Sequence, residues 1–298
     1  MTNERATILA TLIVFATGAF WGFYWLPVRA LTEIGLKGAW GTAAITGTAV
    51  ALLIPVALRN WQAIRSAGSV AIVSIALGGA AFALYSVAFV YGRVAIVILL
   101  YFLTPVWSTL IGRYVMGWKT PRMRMVAIVV GLAGLIVMLS ADGAAPIPRS
   151  TGEWMALLAG LLWSVATTGI QSKSTLAPAA SAFVFCVGAM VTSFVLAPIL
   201  APLPTSDMLS SPGRLLSVAF ATGGIWWALS IGSLMWATVR LEPARVGILL
   251  MSEVLVGAIS AALLAGEQLH VVELAGGSLV LLAGILEVWP VRKTARIR

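Results

Sequence analysis

The sequence predicts an all-α polytopic membrane protein, with ten transmembrane helices arranged as two inverted five-helix repeats around a central cavity. Three observations predict it. The 298 residues are 60% hydrophobic and only 10% charged, where a chain that keeps itself in water carries about 25% charged residues. The apolar residues fall into ten runs of roughly 20, the length that crosses a ~30 Å hydrocarbon core. Three landmarks of the first half return, in the same order, in the second.

The runs divide at charges, prolines and glycines: 7–28, 38–58, 69–91, 94–116, 122–141, 152–173, 178–201, 213–239, 243–265 and 269–289. The first follows a short N-terminus carrying Arg5 and is too long for a signal-peptide core, so it reads as a retained membrane helix. The longest connections are 142–151, with Pro146 and Pro148, and 202–212, with Pro202, Pro204 and Pro212; no soluble domain fits anywhere. With the N-terminus in the cytoplasm, that side receives fourteen basic residues: Arg5, Arg59, Arg65, Arg113, Lys119, Arg122, Arg124, Lys173, Arg240, Arg245, Arg292, Lys293, Arg296 and Arg298. The other side receives five, Arg29, Lys37, Arg93, Arg149 and Arg214. Positive-inside bias then places both termini in the cytoplasm, and an even span count agrees. The net charge of +9 is spread between apolar runs, so it sets orientation and is no nucleic-acid footprint. The partners expected are the lipid bilayer and a small-molecule substrate, with no nucleic acid.

The repeat carries the architecture. Gly18-Ala-Phe-Trp21-Gly in span 1 resembles Gly160-Leu-Leu-Trp163-Ser in span 6. Residues 95–117 of span 4 align with 244–266 of span 9, so that Ala95 meets Ala244, Val97 meets Val246, Leu100 meets Leu249 and Gly117 meets Gly266. Leu132-Ala133-Gly134 in span 5 returns as Leu282-Ala283-Gly284 in span 10. The offsets, about 142, 149 and 150, divide the chain into 1–145 and 146–298. Five spans per half is an odd number, so the second half enters the membrane from the opposite side. Architectures of that kind hold a substrate at the midplane between the halves and expose it alternately.

Glu253 falls on Thr104 in this alignment, and Val254 on Pro105. A carboxylate at bilayer depth costs ~2.5–3.5 kcal/mol on insertion scales, so Glu253 should face protein or water. It is the one acid the sequence places well inside the core. Two readings stand: a coupling or substrate-ammonium site, or a structural acid bonded to Ser252, a helix terminus or a backbone amide. Trp163 lies some twelve residues into its span, about midplane at ~1.5 Å per residue, and is expected to line the cavity with Trp21. Tyr24 and Trp25 could line the same pocket, but close to Pro27 they suit an interfacial aromatic belt. Phe82 and Tyr85 of span 3 share a helix face, as do Trp226 and Ser230 of span 8. With Tyr101 and Trp227 they offer ring faces beside hydroxyls, which suits stacking on a side chain and bonding a polar head. Each can equally serve ordinary helix packing. The glycine pairs Gly78-Gly79 and Gly223-Gly224, in spans 3 and 8, are candidate hinges with Pro105; close helix approach is the alternative.

Other chemistries are excluded. One cysteine, Cys186, and one histidine, His270, form neither a disulfide framework nor a metal cluster. The only aspartates, Asp142 and Asp207, lie in outward connections, so no intramembrane aspartyl pair exists. There is no Gly-x-x-x-x-Gly-Lys loop to use ATP. No enzyme activity and no cofactor are expected.

The run Met251-Ser-Glu253-Val-Leu-Val-Gly257, followed by Leu-Leu-Ala-Gly266-Glu267-Gln-Leu269, resembles the drug/metabolite transporter superfamily, EamA type. The ten spans, Trp21 and its mirror Trp163 extend the resemblance over essentially the whole chain. Val254 departs from the family pattern, in which a proline often follows the glutamate; Pro105 keeps that proline in the first half. Within the superfamily the chain is most similar to the YddG-type aromatic amino-acid exporters of bacterial inner membranes. The resemblance implies a secondary transporter that exports aromatic and other neutral amino acids by alternating access. Export of another small organic solute, such as a drug-like amphiphile or a purine, is the alternative, with a channel or an intramembrane enzyme further off.

Overall fold

The computed structural model describes residues 3–117, 122–141, 143, 146–173, 176–205, 211–238, 240–241 and 243–288. Every regular element among them is a helix. The first span holds α1 (Asn3–Trp21) and α2 (Trp25–Ile34), the second α3 (Trp40–Arg59), followed by the short α4 (Trp61–Ser66). Next come α5 (Ser69–Tyr91), the pair α6 (Val94–Tyr101) and α7 (Thr104–Tyr114), and α8 (Arg122–Leu139). The second half runs through α9 (Thr151–Lys173), α10 (Pro178–Leu200), and α11 (Pro212–Thr222), which leads through a π-helical segment (Gly223–Ser230) into α12 (Ile231–Thr238). It closes with α13 (Pro243–Leu250), α14 (Ser252–Leu264) and α15 (Val271–Val288). Eight runs, from Glu4–Ile34 to Pro212–Ala237, are long and apolar enough to cross a membrane; the last two expected spans appear as the shorter apolar runs Ile248–Leu264 and Val271–Leu286. Lys119, Asp142, Asp207, Glu242, Arg292, Lys293, Arg296 and Arg298 lie outside the described residues.

Outside the buried aromatic residues, many helix contacts are made by small side chains, and large apolar ones face outward. Ala10, Ala49, Ala81, Ala88, Ala156 and Ala159 are buried, while Leu12, Phe15, Val129, Leu229 and Leu263 are exposed. That distribution suits a solvent as apolar as leucine itself, where helices associate by close contact of small residues. α5 packs along α9 and α10, α10 along α3, and α8 along α15, while α1 touches α12, α13 and α14. Glycines permit the approach: a Cβ on Gly134 would sit 2.7 Å from the Gly276 carbonyl, and one on Gly276 would sit 2.6 Å from the Gly134 carbonyl. At Gly79 an added Cβ would fall on the carbonyl of Phe185.

Three spans are interrupted partway. α1 ends at Trp21 and α2 begins at Trp25, through tight turns Phe23 N–H to Phe20 (3.1 Å) and Tyr24 N–H to Trp21 (2.9 Å). Backbone freed at such a break has no water to turn to at this depth and must find protein partners. Here they come from the other half: Trp226 Nε1 donates to the Phe20 carbonyl (3.3 Å) and Ser260 Oγ to that of Gly22 (2.9 Å). α6 stops at Tyr101 and α7 starts at Thr104, with Pro105 in its first turn. Thr104 Oγ1 donates to the Tyr101 carbonyl at 2.7 Å, and Ser164 Oγ reaches the Thr104 carbonyl at 3.0 Å. α13 and α14 meet at Met251, where Ser252 Oγ donates to the carbonyls of Leu249 (2.8 Å) and Phe15 (3.0 Å). The breaks at residues 102–103 and at Met251 thus fall at positions the repeat alignment pairs to within a residue or so.

Candidate functional site

The interruptions surround one aromatic cluster. Phe82, on α5, stands edge-on to Trp163 (centroids 5.1 Å apart), Phe185 (5.1 Å), Trp21 (5.2 Å), Tyr101 (5.9 Å), Trp227 (6.3 Å) and Tyr85 (6.4 Å). Edge-to-face pairs in this range are favoured by the ring quadrupole. α5 holds Phe82 and Tyr85 one turn apart, α6 ends on Tyr101, α9 supplies Trp163, and the π-helical segment supplies Trp227 and Ser230. Trp21, Phe82, Tyr85, Tyr101, Trp163, Trp227 and Ser230 therefore lie in one place, drawn from both halves of the chain, while Trp226 stacks on Phe20 with centroids 3.9 Å apart.

Several polar atoms among these rings are paired. Trp21 Nε1 donates to Ser230 Oγ at 2.8 Å. Trp227 Nε1 donates to the Tyr24 hydroxyl at 2.9 Å, which shares a hydrogen bond with Ser86 Oγ (2.9 Å). Ser86 in turn pairs with Thr42 Oγ1 at 2.8 Å. Tyr85 stacks on Tyr101 with centroids 4.4 Å apart and donates its hydroxyl to Glu253 Oε1 at 2.7 Å. Glu253 is 8% exposed and stands in the first turn of α14. A helix N-terminus favours a carboxylate, and no ion pair reaches Glu253 among the described residues. α14 begins inside the protein, so the half-helix end and the tyrosine are what accommodate the acid.

Tyr24 and Trp25 are not at an interface. Tyr24 is fully buried and Trp25 is 4% exposed, with its Nε1 on Ser260 Oγ at 3.0 Å. The chain turns at Gly22 and continues as α2 to Ile34, so Tyr24 sits within the span and not at its end. Tyr24, which the sequence weighs for the pocket but assigns to the belt, joins the cluster, as do Ser86, Thr42 and Phe185, which the sequence does not single out. The spacing of Tyr24 from Trp21, three residues, is the signal for the first; Phe185 announces itself only by its depth in a long apolar run.

Glu253 is also not the only buried acid. At the end of the bundle that carries the α5–α6 and α14–α15 connections, Glu273 is 4% exposed and is held by both guanidinium nitrogens of Arg93. Arg93 further donates to the Gln268 carbonyl at 2.7 Å. Beside it Glu267 accepts from the backbone N–H groups of Val94 (2.8 Å) and Ala95 (3.2 Å), capping α6. Arg29 reaches the same carboxylate at 3.3 Å and the carbonyls of Phe89 and Gly92. Local sequence explains the geometry. Gly266, with φ 64°, takes the left-handed turn that ends α14, the Glu267 N–H returns to the Ala261 carbonyl at 3.1 Å, and the side chain swings onto α6.

The candidate hinges have distinct settings. α5 runs unbroken past Gly78 and Gly79; a Cβ on Gly78 would touch Phe185 and Trp163 at 3.2 Å. Gly223 and Gly224 open the π-helical segment, Gly223 against the backbone of α3 and Gly224 against the Leu52 side chain. No group of three or more His, Cys, Asp or Glu that would hold a metal exists among the described residues.

Residues 150–288 match the EamA-like transporter family. No curated protein matches the chain. Fourteen chains of solved structures do, among them one described only as "Crystal structure of protein", 16% identical, with a TM-score of 0.62 over 93% of this chain and 96% of that one. At that identity the likeness speaks for the fold alone. The family match covers a little under half of the chain, so it marks a likeness of residues 150–288 to EamA-like transporters.

Proposed function

We propose that the chain is a secondary transporter of the bacterial inner membrane that exports aromatic and other neutral amino acids by alternating access. The observation that carries this reading is the meeting of interrupted helices on one aromatic cluster. Half-helices broken near the midplane are where transporters of inverted-repeat architecture bind their substrates, and Phe82, Tyr85, Tyr101, Trp163, Trp21, Trp227 and Ser230 gather there. Ring faces stack on an aromatic side chain, and the hydroxyls and Glu253 serve the ammonium and carboxylate of the substrate. In this conformation the rings touch one another, so admission requires them to part.

The matching breaks in the fourth and ninth spans support the division into halves 1–145 and 146–298, with α13–α14 and α15 as the ninth and tenth spans. Helix partners support it too: α8 faces α15 and α3 faces α10, pairs that a two-fold rotation would map onto themselves. Gly78, Gly79, Gly223, Gly224 and Pro105 are the points about which the halves would rock. Both termini lie in the cytoplasm on the strength of the basic-residue bias.

Uptake of labelled phenylalanine by liposomes carrying the purified protein tests the reading. Saturable uptake, competed by unlabelled tryptophan, is expected. The same ring faces would stack on a purine or a drug-like amphiphile, and competition by those compounds without any phenylalanine uptake would favour that second reading.

A further inference from the structure

Away from the aromatic cluster, at the end of the bundle where the chain begins, a cleft of about 600 Å³ opens between α1, α3, α10 and α12. Leu9, Ile13, Leu53, Val56, Ala182, Leu229 and Trp236 line it, and among the described residues Ser233 is the one hydroxyl-bearing side chain in the lining. It follows the eighth span from Ala228 to Trp236, about 12 Å at ~1.5 Å per residue. It is also open sideways: Leu9 is 41% and Leu229 65% exposed, on the surface the protein turns to lipid.

Three arginines stand about one turn from lining residues, toward the same end of the bundle. Arg5 precedes Leu9 by four residues on α1, and Arg59 follows Val56 by three on α3, so each shares a helix face with a cleft residue. Arg240 follows Trp236 by four; it lies over the Trp236 ring at 4.0 Å and donates to the Trp236 carbonyl at 2.6 Å. All three arginines are exposed, and no ion pair reaches any of them among the described residues. An apolar trough open to the bilayer, with cations at its headgroup end, has the complementarity of one ligand class.

We propose that this cleft holds an anionic phospholipid, one acyl chain lying along α12 and the phosphate at Arg5, Arg59 and Arg240. The hydrocarbon fills apolar space that would otherwise take water or stay empty. The arginines supply the charge preference, since each cation near a membrane surface favours anionic over zwitterionic lipid. The site is independent of what the central cluster transports.

Native mass spectrometry of the detergent-solubilised protein with phosphatidylglycerol, phosphatidylcholine or inorganic phosphate tests this. Phosphatidylglycerol should be retained and phosphatidylcholine much less so, while inorganic phosphate, lacking a chain, should not be retained. Arg59→Gln with Arg240→Gln should lower phosphatidylglycerol retention about five-fold per arginine and abolish its advantage over phosphatidylcholine. Gly232 lines the cleft and a Cβ there meets nothing within 4 Å. Gly232→Leu should therefore fill the trough without disturbing the fold and remove retention of both lipids. Equal retention of the two lipids by the parent, or phosphatidylglycerol retention unchanged in both variants, would overturn the proposal.

Discussion

Tyr85 donates its hydroxyl to Glu253 at 2.7 Å, and the two residues stand 168 positions apart, one in each half of the chain. The bond joins α5 to the start of α14 and ties the acid to the aromatic cluster. A typical buried hydrogen bond contributes about 0.5–1.5 kcal/mol net, enough to bias which helices stay together. If Glu253 couples protons to export, Glu253→Gln should lose the response of transport to an imposed pH gradient while still exchanging substrate. Tyr85→Phe, which removes the donor and keeps the ring, should retain that response in altered form. If Glu253 only braces α14, both variants should melt at lower temperature with the pH response intact. A parent protein indifferent to a pH gradient would remove coupling before any variant is made.

Trp163 stands 5.1 Å from Phe82 and 6.2 Å from Phe185, centroid to centroid. Half-buried and some twelve residues into α9, it borders the rings that part to admit a substrate. Aromatic pairs contribute about 0.5–1.5 kcal/mol beyond area burial, so Trp163→Ala should weaken tryptophan transport by about two- to ten-fold and threonine transport hardly at all. Equal losses for the two substrates would assign the ring to folding.

The span boundaries were legible in the sequence because apolar runs in a membrane protein are long and end at charges. The predicted run 69–91 matches α5 (Ser69–Tyr91) and 178–201 matches α10 (Pro178–Leu200). The break beside Pro105 was legible as well, since proline removes a donor. The break at Gly22 was not. It has no proline, and it stands because Trp226 and Ser260, from the other half, take the carbonyls it frees. Tyr24 was misplaced for the same reason: its depth depends on where the chain turns, which tertiary contacts decide. Glu273 falls inside the tenth run, near its start, and nothing local marks it as buried; what permits its burial is Arg93, 180 residues away. Opposite charges assigned to one side of the membrane, Arg29 and Arg93 with Glu267 and Glu273, were the signal available.

Glu267 carries the clearest stability prediction. Its carboxylate accepts from the first two N–H groups of α6 and from Arg29, whose side chain is 32% exposed. Loss of an N-terminal cap costs about 0.5–2 kcal/mol, while the part-exposed ion pair adds less than about 1 kcal/mol. Glu267→Ala should therefore lower the melting temperature and speed hydrogen exchange at Val94 and Ala95 by about five-fold or more. Glu267→Gln keeps one acceptor oxygen and should fall between parent and alanine variant. The exchange readout separates the cap from the ion pair, because Arg29→Gln removes the charge partner while leaving both N–H bonds in place. If exchange at Val94 and Ala95 rises as much in Arg29→Gln as in Glu267→Ala, the guanidinium holds the carboxylate in position. In that case the cap on α6 depends on Arg29 and not on the turn at Gly266 alone.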